Sequence, residues 1–355
     1  MKNIGQKLNK RQDFIINLLQ DRGYLGISEI VGVIQKQFGE IAKVTVNRDL
    51  NALLRLGLIE RGGSGRAITY AISGRYSLLQ KIDVDHYFKK EADKREAQLR
   101  FNLALFPLVH DPLYEDELFH LHKLNKVYQD NIEQLADRSI AREFERLTIE
   151  LSWKSSQIEG NTYNLLETEA LIKEHKEASG HKKEEAIMIL NHKTTLDYIV
   201  KNKQAFRTIS VRDIEHVHRL LTKNLGISPN VRKMPVGIVG TAYRPLDNEF
   251  QIREALEQAC IEVNNETDPF GKALLLSLLI AYIQPFEDGN KRTSRLMSNA
   301  VLLAYDLCPL SYRSVDEIEY KKAVILFYER NNLSYFKKLF IEQFEFAVNN
   351  YFRAS

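Results

Sequence analysis

AYIQPFEDGNKRTSR, residues 281–295, runs from the end of an apolar segment through a Pro-Phe-acid-acid-Gly-Asn turn into a second helical pattern. Gly289 and Asn290 are residue types that tolerate left-handed backbone conformations, so successive amide N–H groups can converge there into an anion-binding nest. Lys291, Arg292 and Arg295 fall in the first turn of the following helix, where the macrodipole disfavours each cation by a few tenths of a kcal/mol to about 1 kcal/mol. Something negative is expected to offset them. Arg292 and Arg295 share a helical face and can grip successive phosphates bidentately, while Asp288 can hold a divalent cation against the same phosphates. The same composition also suits a buried turn whose arginines pair with structural carboxylates.

Around this turn the sequence reads as an all-helical domain. Apolar-periodic runs cover residues 115–155, 165–176, 183–202, 210–224, 252–264, 269–283, 291–306, 315–330 and 334–352. One interruption, PVGIVGTAYRP at 235–245, alternates Val236, Ile238 and Val239 with glycines and predicts a short β-hairpin. Further upstream, the charged stretch KKEADKREAQLR at 89–100 lies in a connector, residues 76–110, that reads as a solvated linking helix ended by Pro107 and Pro112.

Ahead of the connector come three short helical patterns, 11–21, 28–38 and 44–56, with Ser28 and Thr45 as expected helix starts. LIERGGSGRAITYAIS, residues 58–73, then places two strand-like runs on either side of Gly62-Gly63-Ser64-Gly65. Three helices followed by a hairpin predict a winged-helix (α+β) domain over 1–75, resembling winged-helix bacterial regulators. The fold class is therefore mainly α: an all-helical domain over 111–355 with a hairpin flap, preceded by the winged helix. In that arrangement the third helix enters a DNA major groove and the wing reaches the backbone. Thr45, Asn47, Arg48 and Asn51 are the expected outward contacts, and Lys43, Arg55, Arg61 and Arg66 the expected phosphate-neutralising groups. Many winged helices instead contact proteins.

Bulk properties set the outer limits. With 355 residues, 44% hydrophobic, and only 8 Pro and 17 Gly, the chain can bury a large core, which excludes a disordered chain. Residues 1–75 hold 12 Lys/Arg against 6 Asp/Glu, net +6, leaving −3 for the rest; the basic partner surface is thus expected at the N-terminal head, on double-stranded DNA. Two cysteines, Cys260 and Cys308, are too few for a disulfide framework, and a reduced cytoplasmic setting is expected. The polar start MKNIGQKLNKRQDF has no secretory character, and the densest apolar run, 273–283, is too short to span a bilayer.

From Phe286 to Arg295 the chain resembles the Fic family, whose motif is His-x-Phe-x-Asp/Glu-Gly-Asn-Gly/Lys-Arg-x-x-Arg. Phe286, Asp288, Gly289, Asn290, Lys291, Arg292 and Arg295 match; Gln284 stands where the family has His. The resemblance implies ATP as ligand, with Phe286 anchoring the loop, Asp288 coordinating Mg²⁺, and Gly289 and Asn290 cradling the α-phosphate. It further implies that Arg292 and Arg295 hold the outer phosphates. Lys291 is the family's less common choice and is shared with Doc-type kinases, whereas Gly289 and Arg295 favour the AMP-transferring branch.

In that family the His accepts the proton of a target Ser, Thr or Tyr hydroxyl. A carboxamide has no titratable lone pair near neutral pH, so Gln284 can hydrogen-bond a hydroxyl without taking its proton. Upstream, SSQIEGN at 155–161 resembles the family's inhibitory Ser/Thr-x-x-x-Glu-Gly/Asn motif, implying that Ser155 and Glu159 share one helical face and that Glu159 pairs with Arg295 and holds the domain autoinhibited. The hairpin at 235–245 resembles the family's flap, which aligns the target by strand addition. Two functions follow as expectations: an autoinhibited protein AMP transferase scaffold coupled to DNA binding, or a catalytically silent nucleotide sensor acting on transcription. Homodimerisation stays open.

Overall fold

The structure, a computed structural model, describes residues 8–353; the first part of the polar N-terminal start lies outside them. The chain divides into two compact units, Met1–Lys81 and Ile82–Ser355.

In the first unit, α1 (Lys10–Arg22), α2 (Ile27–Phe38) and α3 (Lys43–Arg55) pack with a small antiparallel sheet of β1 (Leu25–Gly26), β2 (Ile59–Gly62) and β3 (Thr69–Ile72). The sheet order is β1-β3-β2, with Leu25 opposite Tyr70 and Ile59 opposite Ile72. Ile15, Ile30, Ile34, Val46, Leu50 and Leu53, all fully buried, come from the apolar stripes of the three helices and form the core. The wing turn needs glycine at one point: Gly63 has φ +73°, and a Cβ there would stand 2.2 Å from the Ala67 carbonyl oxygen.

The expected helix starts move. Gly26 caps α2 and donates its N–H to Glu29 Oε2 at 2.8 Å, leaving Ser28 inside the first turn. Ala42 stands at the start of α3, with Thr45 inside it. In neither case does the polar side chain fall on the one position where it accepts from the exposed N–H groups.

The second unit is helical throughout apart from its loops. After α4 (Gly74–Leu79), which closes the first unit, come α5 (Val84–Phe88), α6 (Glu115–Gln134), α7 (Asp137–Gln157), α8 (Leu165–Glu174), α9 (Lys183–Lys201) and α10 (Val211–Leu221). Then follow α11 (Glu249–Asn265), α12 (Pro269–Ile283), α13 (Asn290–Ala304), α14 (Glu317–Arg330) and α15 (Ser334–Asn350). The predicted run 115–155 is two helices, because Leu135 and Ala136 take extended backbone (ψ 139° and 149°). The centre is α12 and α13: every α12 residue from Phe270 to Ile283 is buried, and α13 is buried apart from Lys291. Helices apolar or enclosed on all sides belong at the centre of a domain, so the turn between them is held on both flanks.

Two local expectations are corrected. The connector is not one continuous helix: after α5 the chain makes a single 3-10 turn at Ala92–Lys94 and a short 3-10 helix at Leu103–Leu108, with extended segments between. Tertiary bonds replace helical ones there, since Gln98 N donates to Glu329 O at 2.7 Å and Arg244 N to Leu99 O at 2.9 Å. Nor do residues 235–245 form a ladder of strands. They form an irregular loop with one isolated parallel bridge, Arg100 to Arg244. Val239 is 96% exposed and Gly240 takes φ +85°, so the alternating apolar residues have no facing sheet to bury them.

Candidate functional site

The α12–α13 turn is built from backbone constraints at both ends. Gln284 ends α12 in the left-handed region (φ 51°, ψ 58°), and Gly289 starts α13 there (φ 80°, ψ 3°). Asn290 instead joins the helix, and its side chain staples the turn: Oδ1 accepts from Phe286 N and Nδ2 donates to Phe286 O, both at 2.8 Å. Phe286, fully buried, stacks face to face on His218 of α10 with centroids 3.6 Å apart and planes 1° off parallel. A Cβ on Gly289 would lie 3.4 Å from His218 Cε1 and 3.4 Å from Thr222 Cγ2, so this wall sits close against the backbone. The turn thus presents the opening N–H groups of α13, which lack intrahelical acceptors, at the mouth of a cavity.

That cavity holds about 340 Å³ and is lined on one side by Gln284 and residues 287–291, within the range of small-molecule sites. Val236, Ile238 and Val239 face it from the 235–245 loop, and Tyr320, Val324 and Tyr328 from α14. The Asp288 side chain is 66% exposed; Oδ1 accepts from Gly289 N at 2.6 Å and Oδ2 lies 3.5 Å from Arg292 Nη2.

Glu159 carries the electrostatics. Its Oε1 accepts from Arg295 Nη2 at 3.0 Å and its Oε2 from Lys291 Nζ at 3.2 Å. Ser155 holds the same arginine twice, with Oγ accepting from Nε at 2.9 Å and its carbonyl oxygen accepting from Nη2 at 2.8 Å. Burial alone would raise the Glu159 carboxyl, but Arg295 and Lys291 outweigh it and hold it below the usual carboxylate range. Arg295 also lies over the Tyr320 ring at 5.3 Å.

Arg292 and Arg295 are 1% and 0% exposed and are not among the cavity's lining residues. Burial pulls Arg292 below the usual guanidinium value, against the attraction of Asp288, and its Nε and Nη1 have no hydrogen-bond partner among the described residues. A buried cation so placed has unspent capacity for an anion.

Gln284 points its amide inward: Nε2 donates to Ala281 O at 2.6 Å and to Tyr328 Oη at 3.1 Å. No proton acceptor results, because a carboxamide has none near neutral pH.

His218, Arg232 and Tyr328 were missed in the sequence reading. Their link to the turn is purely tertiary: Arg232 Nε donates to Gln284 O at 2.7 Å and its N–H to Pro285 O at 3.0 Å. His218 is uncharged at neutral pH, since burial lowers it to about 4. The one hint in the sequence was the lone His218 on the apolar face of an amphipathic helix.

In the first unit, Lys43, Arg48, Asn51, Arg55 and Arg61 are exposed, whereas Thr45 and Asn47 are half-buried. The Arg66 side chain lies outside the described residues. Asp49, between the exposed positions of α3, is buried against Arg11 at 2.8 Å and leaves the outward face without a carboxylate from α3. Among the described residues no group of three His, Cys, Asp or Glu side chains is arranged to hold a metal, and no helix is long and apolar enough to cross a membrane.

A profile of the Fic/DOC family matches residues 208–302, and one of the DeoR-like helix-turn-helix domain matches residues 11–69. Among curated proteins, the protein adenylyltransferase Fic of Nematostella vectensis is 27% identical over 172 residues, covering 47% of this chain and 40% of that protein. The protein adenylyltransferase fic-1 of Caenorhabditis elegans is 24% identical over 159 residues, 43% of this chain and 31% of that one. The match thus spans two fifths or less of these relatives' length. Among solved structures, Fic-1 (residues 134–508) of C. elegans superposes with a TM-score of 0.58 at 20% identity, over 66% of this chain and 72% of that chain. A Fic domain containing signalling protein of Bacteroides thetaiotaomicron gives 0.54 at 19%, over 65% and 96%. At these identities the superpositions speak for the fold alone. The α12–α13 turn with its matching residues, the helical frame around it and the two profiles agree: the chain carries a Fic domain, matched over residues 208–302, and a DeoR-like helix-turn-helix domain, matched over residues 11–69.

Proposed function

We propose that the second unit binds ATP, with the polyphosphate at the α13 N-terminus, and is an autoinhibited scaffold for transfer of AMP to a protein Ser, Thr or Tyr hydroxyl. The observation that carries this is Glu159: an anion site built from a helix N-terminus, Lys291 and Arg295 already holds an anion of the chain's own. A phosphate competing for Arg295 must displace that carboxylate, which makes the site weak or unproductive until α7 moves. The buried, unpartnered nitrogens of Arg292 support a second phosphate contact.

The exposed Asp288 carboxylate suits Mg²⁺, an ion that takes one or two protein carboxylates and completes its shell with phosphate and water. Bound there, Mg²⁺ would neutralise phosphate charge. Phe286, Gly289, Asn290 and Lys291 would shape the floor of the phosphate site. A calorimetric titration with ATP and Mg²⁺ tests this reading. Saturable heat is expected, weakened roughly tenfold or more by Arg292→Met, the loss of a charged hydrogen bond of about 1.5 to 3 kcal/mol. No saturable heat from either the native chain or the Glu159→Gly variant would end it.

The tied-back amide of Gln284 favours a second reading, a catalytically silent domain that senses nucleotide and adjusts the helix-turn-helix. Under both readings the first unit binds double-stranded DNA through the exposed residues of α3 and the wing. Its affinity should fall with salt at a log–log slope of about −3 or steeper, for three or more neutralised phosphates. A flat salt response would remove the DNA role.

A further inference from the structure

Glu329, at the C-terminal end of α14 and 1% exposed, collects bonds from two segments distant in sequence. Arg95 forks onto it, Nε to Oε2 and Nη2 to Oε1, both at 2.9 Å, and Tyr87 Oη donates to Oε2 at 2.8 Å. From the 235–245 loop, Thr241 Oγ1 donates to Oε1 at 2.6 Å. Arg95 Nη2 reaches the same loop directly, donating to the Gly240 carbonyl oxygen. The backbones repeat the connection: Gln98 N donates to Glu329 O, and Arg244 N to Leu99 O. A fixed fork held at both oxygens is the geometry that sets position as well as supplying energy.

The loop is gripped again at its base. Arg232 donates from Nη1 to Met234 O at 2.9 Å and from Nη2 to Leu246 O, while its Nε holds Gln284 O. Between these two grips lie Val236, Ile238 and Val239, which line the cavity. The loop has no ladder of its own to fix it, so its place depends on the grips. Tyr328, the neighbour of Glu329, accepts from Gln284 Nε2, which puts the grip one residue from the turn.

We propose that Arg95 and Glu329 are positioning residues: their buried pair, completed by Thr241, holds the 235–245 loop against the cavity and so sets how an acceptor segment meets the α12–α13 turn. The acceptor role rests on the reading under Proposed function; the grip itself does not.

The test is amide hydrogen exchange of the full chain, read over residues 235–245 and over α12 and α13, for Arg95→Met, Arg95→Lys and Thr241→Val, with calorimetric ATP affinity measured in parallel. Arg95→Met is expected to speed exchange in the loop roughly tenfold or more while α12 and α13 stay protected and ATP affinity changes less than twofold. Arg95→Lys should recover part of the protection, and Thr241→Val, which removes one hydrogen bond and little else, should speed loop exchange a few-fold. In a Glu159→Gly, Gln284→His background, Arg95→Met should lower label transfer about tenfold at unchanged ATP affinity. Should Arg95→Met unfold the unit as a whole, Thr241→Val decides. Unchanged loop exchange in Thr241→Val, or a rise spread evenly over the unit, overturns the proposal. Absent ATP binding with a loosened loop would instead sink the nucleotide reading and leave the grip standing.

Discussion

Replacing Gln284 with His in a Glu159→Gly background is expected to raise label transfer from the α-phosphate of ATP about 10²- to 10⁴-fold, the usual contribution of a positioned general base. The site can accept the change. Residue 284 has φ 51°, a region where His is enriched among non-glycine residues. The Gln284 amide nitrogen already donates to Ala281 O; an imidazole taking over that bond through one nitrogen would leave the other as acceptor. In the transfer the acceptor oxygen bonds to the α-phosphorus, pyrophosphate leaves, and the hydroxyl proton passes to that free nitrogen. Self-labelling with α-labelled ATP is the measurement, with Gln284→Asn as the control that should gain nothing. Equal labelling by the native residue and His would mean that another group takes the proton and would overturn the silent-domain reading.

The second large effect is expected from Glu159→Gly alone. Removing the carboxylate frees Arg295 and Lys291 for phosphate, and ATP affinity should rise about 10- to 100-fold, equivalent to about 1.5 to 3 kcal/mol for charged hydrogen bonds no longer in competition. Without ATP the same variant should be less stable by up to about 3 kcal/mol, because a buried cation loses its counter-charge. Ser155 and the Tyr320 ring remain on Arg295, so the lower half of that range is expected. Saturating ATP should return the lost stability, which thermal melts with and without nucleotide would detect. Unchanged ATP affinity would show that Glu159 is merely structural.

What was legible in the sequence was local. The apolar run of α12, the left-handed glycine and the basic start of α13 all lie within residues 269–295, and short-range rules read them directly. The three-helix head with its hairpin was legible for the same reason, since its periodicities and the Gly62-Gly63-Ser64-Gly65 turn are adjacent. Tertiary competition hid the rest. Residues 89–100 have the composition of a helix, but Arg95 is drawn to Glu329, 234 positions away, and the backbone follows. The 235–245 loop has the alternation of a hairpin without a partner face to bury it. His218 reaches Phe286 only because α10 lies against the turn, and no local pattern encodes that. Of the candidate site, the turn could be read from the chain, while its neighbours needed the fold.

The burial of α13 constrains how this domain can vary. Fourteen of its fifteen residues are enclosed, so almost any substitution along it disturbs packing on several sides at once. Diversification is therefore channelled to what surrounds the helix. A change in the 235–245 loop, where Val239 is 96% exposed, would cost far less packing than one along that central rod.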